Sequence, residues 1–374
     1  MKIGIPKEIK NHEYRVGASP EMVRLLVEAG HEVWVQARAG ERIGYSNEIY
    51  IQAGANITVS AHEIYDCEMI IKVKEPQESE YALLKPGQIL FCYLHLAPDP
   101  IQTEHLIKSR VVAIAYETVT DALGRLPLLI PMSEMAGRIA IQIGATYLQL
   151  NYGGKGVLLG GVPGVAPARV TILGGGVVGT ESARMALGLG ADVTILDKDL
   201  HRLRALDALF GPRLKTLYSS PASIEEAVMR ADLLIGAVLI PGKTAPKLIK
   251  RSMIQKMAPG SVLVDVAIDQ GGCTETSIPT THADPIYIVD GVIHYCVTNM
   301  PGACARTSTQ ALTHATMDYV LTIANKGWRK ALIESEGLRN GLNVCEGHVT
   351  NASVAYDLGY PYMPAHELLE SLVG

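Results

Sequence analysis

A glycine pattern near the middle of the chain is the clearest chemical signal in this 374-residue sequence. An apolar strand, Val170–Leu173, runs directly into Gly174-Gly175-Gly176-Val177-Val178-Gly179 and then into an alanine-rich helix. In this context the G-x-G-x-x-G pattern indicates a pyrophosphate site. Gly174 permits the tight turn, Gly176 lets the phosphates approach the backbone, and Gly179 lets the helix pack against the strand. The helix N-terminus adds free N–H groups and partial positive charge.

A carboxylate at the end of the next strand predicts which dinucleotide is bound. That strand runs from Asp192 to Asp197, and it ends roughly 20 residues after the glycines, where an acidic residue contacts the ribose in such folds. Asp197 would accept both ribose hydroxyls of NAD and repel the extra phosphate of NADP, so NAD is the predicted cofactor. Lys198, His201 and Arg202 follow and could soften that repulsion. A glycine turn that only packs a helix is the alternative.

Two later strand ends extend the predicted ligand edge. One apolar strand, ending at Val238 and Leu239, has the pattern of the strand that covers the adenosine side of a dinucleotide. Another, Val262–Val266, ends beside Asp265, Asp269 and glycines, where open α/β sheets place their ligands. Asp265 could equally cap a helix or be satisfied in the core, and the same alternative exists for Asp269.

The first 125 or so residues contain three side chains that could hold a carboxylate and move a proton. Arg15 lies in a loop before a helix start, whereas Lys74 and His95 follow the ends of apolar strands. A guanidinium can bind a carboxylate through two hydrogen bonds, an ammonium can neutralise a neighbouring oxygen, and an imidazole titrates near neutral pH. Each also has an ordinary explanation. A lone Arg or Lys is usually a solvated surface group, and a lone His after a strand is more often structural than catalytic.

Alternating strand and helix patterns predict how these residues are positioned. Residues 1 to about 125 read as one open α/β sheet, and a second βαβ series begins at Arg169. We therefore predict an α/β fold with two Rossmann-like, doubly wound parallel-sheet domains and a cleft between them. The substrate (catalytic) domain is 1–128 plus 307–374, because a tail this short is small for an independent core, and the NAD-binding Rossmann domain is 129–306.

The second series supplies the parallel strands that a nucleotide-binding fold requires. The predicted strands are Val170–Leu173, Ala191–Leu196, Leu233–Gly236, Val262–Val266 and Ile286–Val289. Before them, a connecting helix is predicted from about Pro131 to Leu150, and a later helix covers Thr307–Asn325.

Composition excludes several classes of protein. Lys and Arg number 33 against 38 Asp and Glu, and they are scattered, so the clustered positive charge that nucleic acid requires is missing. No apolar run reaches the roughly 18–20 residues of a membrane helix, and the charged N-terminus argues against a secretory signal, so we expect a soluble, cytoplasmic protein with no membrane partner.

Six separated cysteines form neither a zinc nor a redox motif, so no metal is predicted and we expect reduced, mostly buried thiols. Hydrophobic residues at 48% against 19% charged indicate that some apolar surface covers a subunit interface.

A series of ordered segments resembles the alanine dehydrogenase family over essentially the whole chain. The segments are PKEIKNHEYRV, KVKEP, FCYLHLAPDP, AYETV, PLLIPMSEMAGR, GGVPGV, LGGGVVG, ADLLIGAVLIPG, VDVAIDQGGC and VTNMPGACARTST. The related α-subunit domain of proton-translocating nicotinamide nucleotide transhydrogenase shares the fold. The resemblance implies reversible NAD-dependent oxidative deamination of L-alanine to pyruvate and ammonium by a homohexamer.

Carried over by position, the resemblance also implies roles for single residues. Arg15 and Lys74 would bind the substrate carboxylate, His95 would be the catalytic acid/base, and Asp269 would be a second catalytic residue. The implied cofactor contacts are Ser133, the Gly174–Gly179 turn with Val177 and Val178, Asp197, Arg202, Ser219, Val238, Leu239, Ile268, Asp269, Asn299 and Met300. Two segments depart from the family pattern: Gly17–Pro20, where larger residues are common, and Gly302–Ala305, which could alter the lip of the cofactor cleft.

Two other functions fit parts of this sequence. The same architecture could act on another small amino or keto acid, or join lysine to a keto acid as saccharopine-type relatives do. A coupling module like the transhydrogenase domain would bind NAD(H) without processing a small substrate. Such a module normally accompanies membrane segments and a second nucleotide domain, which this sequence does not contain.

Overall fold

The structure, a computed structural model, describes residues 1–238 and 245–372. The chain forms two compact units. Unit 1 consists of Met1–Met132 together with the chain from Cys304 onward, and unit 2 is Ser133–Ala303. Each unit is an α/β structure built on a mainly parallel sheet, which confirms the predicted fold class.

The regular elements alternate along most of the chain. Within the described residues the strands are β1 (Lys2–Ile5), β2 (Glu32–Gln36), β3 (Asn56–Thr58), β4 (Met69–Ile71), β5 (Ile89–Cys92), β6 (Val112–Ala115), β7 (Arg169–Leu173), β8 (Asp192–Asp197), β9 (Leu214–Tyr218), β10 (Leu233–Gly236), β11 (Val262–Asp265), β12 (Ile286–Val289), β13 (Val292–Tyr295), β14 (Leu342–Cys345) and β15 (His348–Val349). The helices are α1 (Pro20–Glu28), α2 (Asn47–Gln52), α3 (Ala61–Tyr65), α4 (Glu78–Tyr81), α5 (Pro100–Ser109), α6 (Ile130–Tyr147), α7 (Val177–Gly188), α8 (Leu200–Phe210), α9 (Pro221–Arg230), α10 (Arg251–Ile254), α11 (Ala305–Lys326), α12 (Trp328–Glu334), α13 (Glu336–Arg339), α14 (Ala352–Leu358) and α15 (Ala365–Ser371). No helix in these described ranges has both the length and the apolar character to cross a bilayer.

The sheet of unit 1 has eight strands in the order β15-β14-β6-β5-β4-β1-β2-β3. The six strands β6, β5, β4, β1, β2 and β3, in this order across the sheet, are all parallel to their neighbours. The C-terminal tail completes this sheet, because β14 pairs antiparallel with β6 and β15 pairs antiparallel with β14.

The sheet of unit 2 has seven strands in the order β12-β13-β11-β10-β7-β8-β9. It is buried on both faces, since alternate residues of its central strands enter two separate apolar clusters. One cluster contains Ile172, Ile195, Ile235 and Val264, and the other contains Leu173, Leu196, Leu234 and Leu263. Helices therefore cover both faces, as near-continuous apolar strands require.

One predicted strand direction is wrong. We counted Ile286–Val289 among the parallel strands, but β12 pairs antiparallel with β13 in a hairpin. The connection is Asp290-Gly291, and both residues have positive φ, at 50° and 82°. An Asp-Gly pair between two apolar runs favours this tight turn, which reverses the chain instead of sending it through a helix.

Candidate active site

One edge of the unit 1 sheet carries the candidate catalytic side chains. Strands β1, β4, β5 and β6 are neighbours and run parallel, so their carboxyl ends lie at the same edge. Arg15 follows β1, Lys74 follows β4 and His95 follows β5. The topology thus brings to one edge three predicted residues that are far apart in sequence.

Arg15 is buried and paired with Glu13. Its Nε and Nη2 donate to the two carboxylate oxygens of Glu13 at 2.7 and 2.6 Å, and Nη1 donates to Sδ of Met132 at 3.1 Å. Burial acts against the charge of Arg15, but the hydrogen bonds and charge of Glu13 outweigh it, and the pKa of the guanidinium is raised. A substrate carboxylate would therefore meet a cation whose orientation Glu13 has already fixed, on the edge that carries Nη1.

Lys74 lies just beyond the end of β4 and is partly exposed. Its backbone N–H donates to Oε1 of Glu8 at 3.2 Å, and the N–H of Val73 donates to the same oxygen at 2.7 Å. The following residue, Glu75, accepts a hydrogen bond from Lys10. The backbone that presents Lys74 is therefore attached to the loop after β1, which also carries Arg15.

His95 is held in an unusual backbone conformation by an acidic residue. Its φ is +48°, in the left-handed region that few non-glycine residues adopt. The N–H of His95 donates to Oε1 of Glu117 at 2.6 Å, and the N–H of Leu94 lies 3.2 Å from each oxygen of the same carboxylate. The imidazole is half exposed, and its Nδ1 lies 3.9 Å from Oε1 of Glu117. The reactive ring therefore stays accessible while its backbone is fixed.

A tyrosine supports the same imidazole from one side. The rings of Tyr93 and His95 are parallel within 5°, with centroids 5.9 Å apart. The hydroxyl of Tyr93 donates to the carbonyl of Leu128 at 2.5 Å, which fixes the ring, and burial raises the pKa of this phenol. Tyr93 is therefore a neutral support for His95 at ordinary pH.

Sequence reasoning missed the two carboxylates that orient these groups. Glu13 is two residues before Arg15, and Glu117 directly follows β6 in a short 3₁₀ turn, Tyr116–Thr118. The position of Glu117 at a strand end, like those of Lys74 and His95, is the signal that could have identified it. Glu13 carried no comparable signal, because a surface ion pair with Arg15 would have given the same sequence.

In unit 2 the glycine turn has the geometry that the motif predicts. Gly174 has φ of +98°, and a Cβ at this position would lie 2.6 Å from the carbonyl of Ala237. A Cβ on Gly179 would lie 1.8 Å from the carbonyl of Gly174, so helix α7 can pack this closely only with glycine there. At Gly176, by contrast, nothing lies within 4 Å of an added Cβ. The fold itself does not require glycine at this position, which is the first residue before α7, and the open space suits an approaching phosphate.

Asp197 and Arg202 flank this turn. Oδ2 of Asp197 accepts the N–H of Gly175 at 2.6 Å and Oδ1 accepts the N–H of Asp199 at 2.8 Å. A carboxylate has about four acceptor positions, so each oxygen can still accept a ribose hydroxyl. Arg202 donates to the carbonyl of Gly175 and, through Nη2, to Oγ1 of Thr180.

The other predicted cofactor contacts lie on or near the same edge of unit 2. Ser219 follows β9 and is buried, Val238 follows β10, and Asn299, with φ of +67°, follows β13 just before the buried Met300. Leu239 lies outside the described residues.

Three of the remaining predicted residues lie in a short 3₁₀ segment after β11 and on helix α6. Ile268 and Asp269 belong to a 3₁₀ segment, Val266–Gln270, in which Ile268 is buried and Asp269 is exposed. Ser133 lies one helical turn before Gly137 on α6, and a Cβ on Gly137 would lie 2.4 Å from the carbonyl of Val178. At Gly137, α6 therefore packs directly on the start of α7.

The structure gives Asp265 a structural role. Its side chain is buried, and it accepts hydrogen bonds from the N–H of Ala267 at 3.1 Å, the N–H of Cys273 at 2.9 Å and Oγ of Ser277 at 2.5 Å. Burial raises the pKa of this carboxyl, although these donors act in the opposite direction. The carboxylate joins the two ends of the turn that carries Asp269, which agrees with the capping interpretation.

These features fit NAD in unit 2. The turn offers open backbone at Gly176, the N-terminus of α7 supplies N–H groups for a pyrophosphate, and Asp197 has acceptor capacity for a ribose. Within the described residues no group of three or more His, Cys, Asp or Glu side chains could hold a metal ion. The six cysteines all lie in the described part of the chain as free thiols, and all except Cys304 are buried.

Comparisons with known proteins agree with this reading of both units. Residues 4–136 match the family model described as alanine dehydrogenase/PNT, N-terminal domain, and residues 140–352 match the one described as alanine dehydrogenase/PNT, C-terminal domain. A protein of Halomonas elongata named alanine dehydrogenase is 57% identical over 99% of this chain and 100% of its own length. One of Bacillus subtilis with the same name is 56% identical over 99% of this chain and 98% of its own.

Solved structures give the same result. A structure titled L-alanine dehydrogenase superposes with a TM-score of 0.94 at 53% identity, covering 96% of this chain and 99% of the other. A transhydrogenase from Sinorhizobium meliloti superposes with a TM-score of 0.80 at 23% identity, covering 94% and 100%. At that identity the second likeness shows the fold alone.

Proposed function

The chain belongs to the alanine dehydrogenase/PNT family, and from this premise we propose that it catalyses the reversible NAD-dependent oxidative deamination of L-alanine to pyruvate and ammonium. The observation that carries the proposal is the single edge of unit 1 at which Arg15, Lys74 and His95 follow neighbouring strands. Two cations and an imidazole are the groups that a small amino acid and its keto acid require.

Arg15 and Lys74 bind the substrate carboxylate in this proposal. Glu13 already holds the guanidinium of Arg15 in place, so this side chain loses little conformational freedom when the carboxylate binds. Lys74 adds a second positive charge from the adjacent loop, where Glu8 anchors its backbone. Together the two cations hold the amino acid in one orientation, so that its Cα–H bond can point at the hydride acceptor.

The cofactor supplies one chemical ability: when bound, NAD⁺ accepts the hydride from Cα. The turn at Gly174–Gly179 and the carboxylate of Asp197 hold it, with further contacts from the strand ends of unit 2. Alanine loses one proton from its ammonium group and the hydride from Cα, which leaves an iminium group to which water can add.

His95 moves the protons of the hydrolytic half of the reaction. Its imidazole takes a proton from the water that attacks the iminium carbon and gives that proton to the nitrogen of the resulting carbinolamine. As the C–N bond breaks, the imidazole accepts the hydroxyl proton of the carbinolamine, which becomes the carbonyl of pyruvate, and the nitrogen leaves as ammonia, which takes up this proton to become ammonium. Asp269 orients the water or the substrate nitrogen, and its carboxylate balances the positive charge that develops on that nitrogen. Glu117 keeps the backbone of His95 fixed during these steps.

A panel of 2-oxo acids tests the substrate. The purified protein is mixed with NADH and ammonium, and each acid is added in turn while oxidation of the nicotinamide is followed. Pyruvate is expected to give the highest kcat/KM. A better rate with a larger keto acid, or a requirement for lysine in place of ammonium, would assign a different substrate to the same architecture.

Two wider properties are part of the proposal, namely a homohexamer and a cytoplasmic location. Family membership supports both. An apolar hollow of about 540 Å³ in unit 2, lined by residues that include Leu150, Leu158 and Leu189, supports the existence of a subunit contact. Light scattering measures the molecular mass of the purified protein in solution, and the mass of a monomer at the concentration used for activity assays would contradict the hexamer.

A further inference from the structure

Three buried charged side chains lie under the loop that carries Lys74. Nζ of Lys72 is 3.1 Å from Oε2 of Glu8 and 3.1 Å from Oε1 of Glu80, and the three side chains are 0%, 1% and 6% exposed. The hydroxyl of Tyr65 also donates to Oε1 of Glu80 at 2.8 Å. We refer to Glu8, Lys72 and Glu80 as the buried triad.

The two carboxylates of the triad hold opposite ends of the Lys74 loop. Oε1 of Glu8 accepts the N–H groups of Val73 and Lys74, at 2.7 and 3.2 Å. Oε2 of Glu80 accepts the N–H of Gln77 at 2.8 Å and so begins helix α4. Lys72 joins the two carboxylates through its ammonium. The backbone from Val73 to Gln77 is therefore held at both ends by groups that share one cation.

Stability of the core is a poor explanation for such an arrangement. Moving three charges out of water is costly, and apolar residues of similar size often replace buried ion pairs without loss of stability. The triad holds two carboxyl groups and one ammonium, so two acids share a single cation. Burial raises the pKa of Glu8, with Lys72 acting in the opposite direction. A core that needed only packing would not require this set of residues.

Glu8 also acts on the second carboxylate-binding cation. The negative charges of Glu8 and Glu13 influence one another, and the charge of Glu8 contributes to the raised pKa of Arg15. One side chain thus contacts the backbone of Lys74, pairs with Lys72 and lies within electrostatic range of Arg15.

We propose that the buried triad is a positioning device for substrate binding, in which Glu8 sets the place of Lys74 relative to Arg15. The inference rests on the proposed function of Lys74 as a ligand of the substrate carboxylate. The triad does not touch the substrate. It fixes the backbone from which Lys74 extends, so that the ammonium meets the carboxylate without first ordering the loop.

The test compares Glu8→Gln with Glu80→Gln, which make the same chemical change at the two ends of the triad. Each amide keeps the size of the side chain but has only one oxygen, so it cannot accept from all three of the donors that the carboxylate binds now. In Glu8→Gln the KM for pyruvate should rise about tenfold, while NADH affinity stays unchanged. In Glu80→Gln, which weakens the anchor at Gln77 but leaves the bonds from Glu8 to the backbone of Val73 and Lys74 in place, the KM should rise less than about threefold for a similar drop in melting temperature. Equal KM values in two equally destabilised variants would show a purely structural role and overturn the inference.

Two further variants keep the outcome decisive. If Glu8→Gln does not fold, Lys72→Arg takes its place, because it keeps the charge but changes the distance between the carboxylates; an unchanged pyruvate KM in that variant overturns the inference. Lys74→Ala is measured alongside. An unchanged KM in Lys74→Ala would remove the proposed function of Lys74, and this inference with it. A raised KM there, with no difference between Glu8→Gln and Glu80→Gln, would overturn the inference alone.

Discussion

In the proposed mechanism His95 moves the protons, so its replacement should separate chemistry from binding. General acid–base catalysis contributes about 10²–10⁴ in rate, so His95→Ala should lose most of that range in kcat. NADH affinity should not change, because the cofactor contacts belong to unit 2. Steady-state rates and NADH fluorescence titration measure the two effects. Turnover close to that of the unchanged protein would remove His95 from the mechanism.

Glu117 is expected to act through the backbone of His95. Glu117→Ala removes the acceptor for the N–H groups of Leu94 and His95, so kcat should fall by about tenfold to a hundredfold as the strained turn relaxes. Glu117→Gln keeps one oxygen for these donors and should recover most of the rate. Equal losses in the two variants would mean that the negative charge of Glu117, and not its hydrogen bonds, is what the reaction needs.

At the residue scale, the candidate catalytic groups could be named from the sequence, but the side chains that hold them could not. Lys74 and His95 could be identified because strand ends in an open α/β sheet share one edge. The pairing of Arg15 with Glu13 depends on burial, and the burial of a short loop depends on the whole sheet beneath it. The roles proposed for these residues remain predictions for the experiments above.

At the scale of elements, the glycine turn separates the needs of the fold from those of the ligand. Gly176→Ala adds a methyl group to open space, so the melting temperature should change no more than it does for an ordinary surface substitution. NADH affinity should nevertheless fall by about tenfold or more, because the methyl group occupies the path of the pyrophosphate. Unchanged NADH affinity in a folded Gly176→Ala protein would show that the phosphates lie elsewhere.

Gly179→Ala is the matched control within the same turn. Its Cβ would lie 1.8 Å from the carbonyl of Gly174, so helix α7 must move away from β7. Both thermal stability and NADH affinity should therefore fall. A fully stable Gly179→Ala protein would contradict the observed packing of α7 on the turn.

Helices and strands with strong local sequence signals were predicted correctly, whereas those with weak signals were not. Strands β10 and β12 have the predicted bounds, and α1 begins after Ser19, whose hydroxyl accepts the N–H of Met22. The predicted direction of β12 was wrong because the Asp290-Gly291 turn was not recognised and its partner strand β13 was not predicted. Strand β9, Leu214–Tyr218, was missed because it lies at the edge of the sheet, where only Leu214 of its five residues is buried, so it lacks the apolar run of a central strand.

At the scale of the whole molecule, the cysteines report whether the core is intact. Burial raises the pKa of Cys67 to about 11 and that of Cys345 to about 12, which leaves roughly one thiol in 10⁴ or fewer ionised at pH 7. Alkylation of the native protein at this pH should therefore be slow at these two sites and fast after denaturation. Mass spectrometry of labelled peptides gives the rates, and rapid native labelling of Cys67 would contradict its burial.

The function depends on both units at once, and one measurement tests it most directly. Purified protein is mixed with NAD⁺ and L-alanine, and the absorbance of the reduced nicotinamide is followed while pyruvate and ammonium are assayed. The expected result is NADH formation that depends on alanine, with pyruvate and ammonium released in equal amounts. Binding of NADH without any alanine-dependent reduction of NAD⁺ would contradict the proposed reaction and leave a nucleotide-binding protein with no chemistry on this substrate.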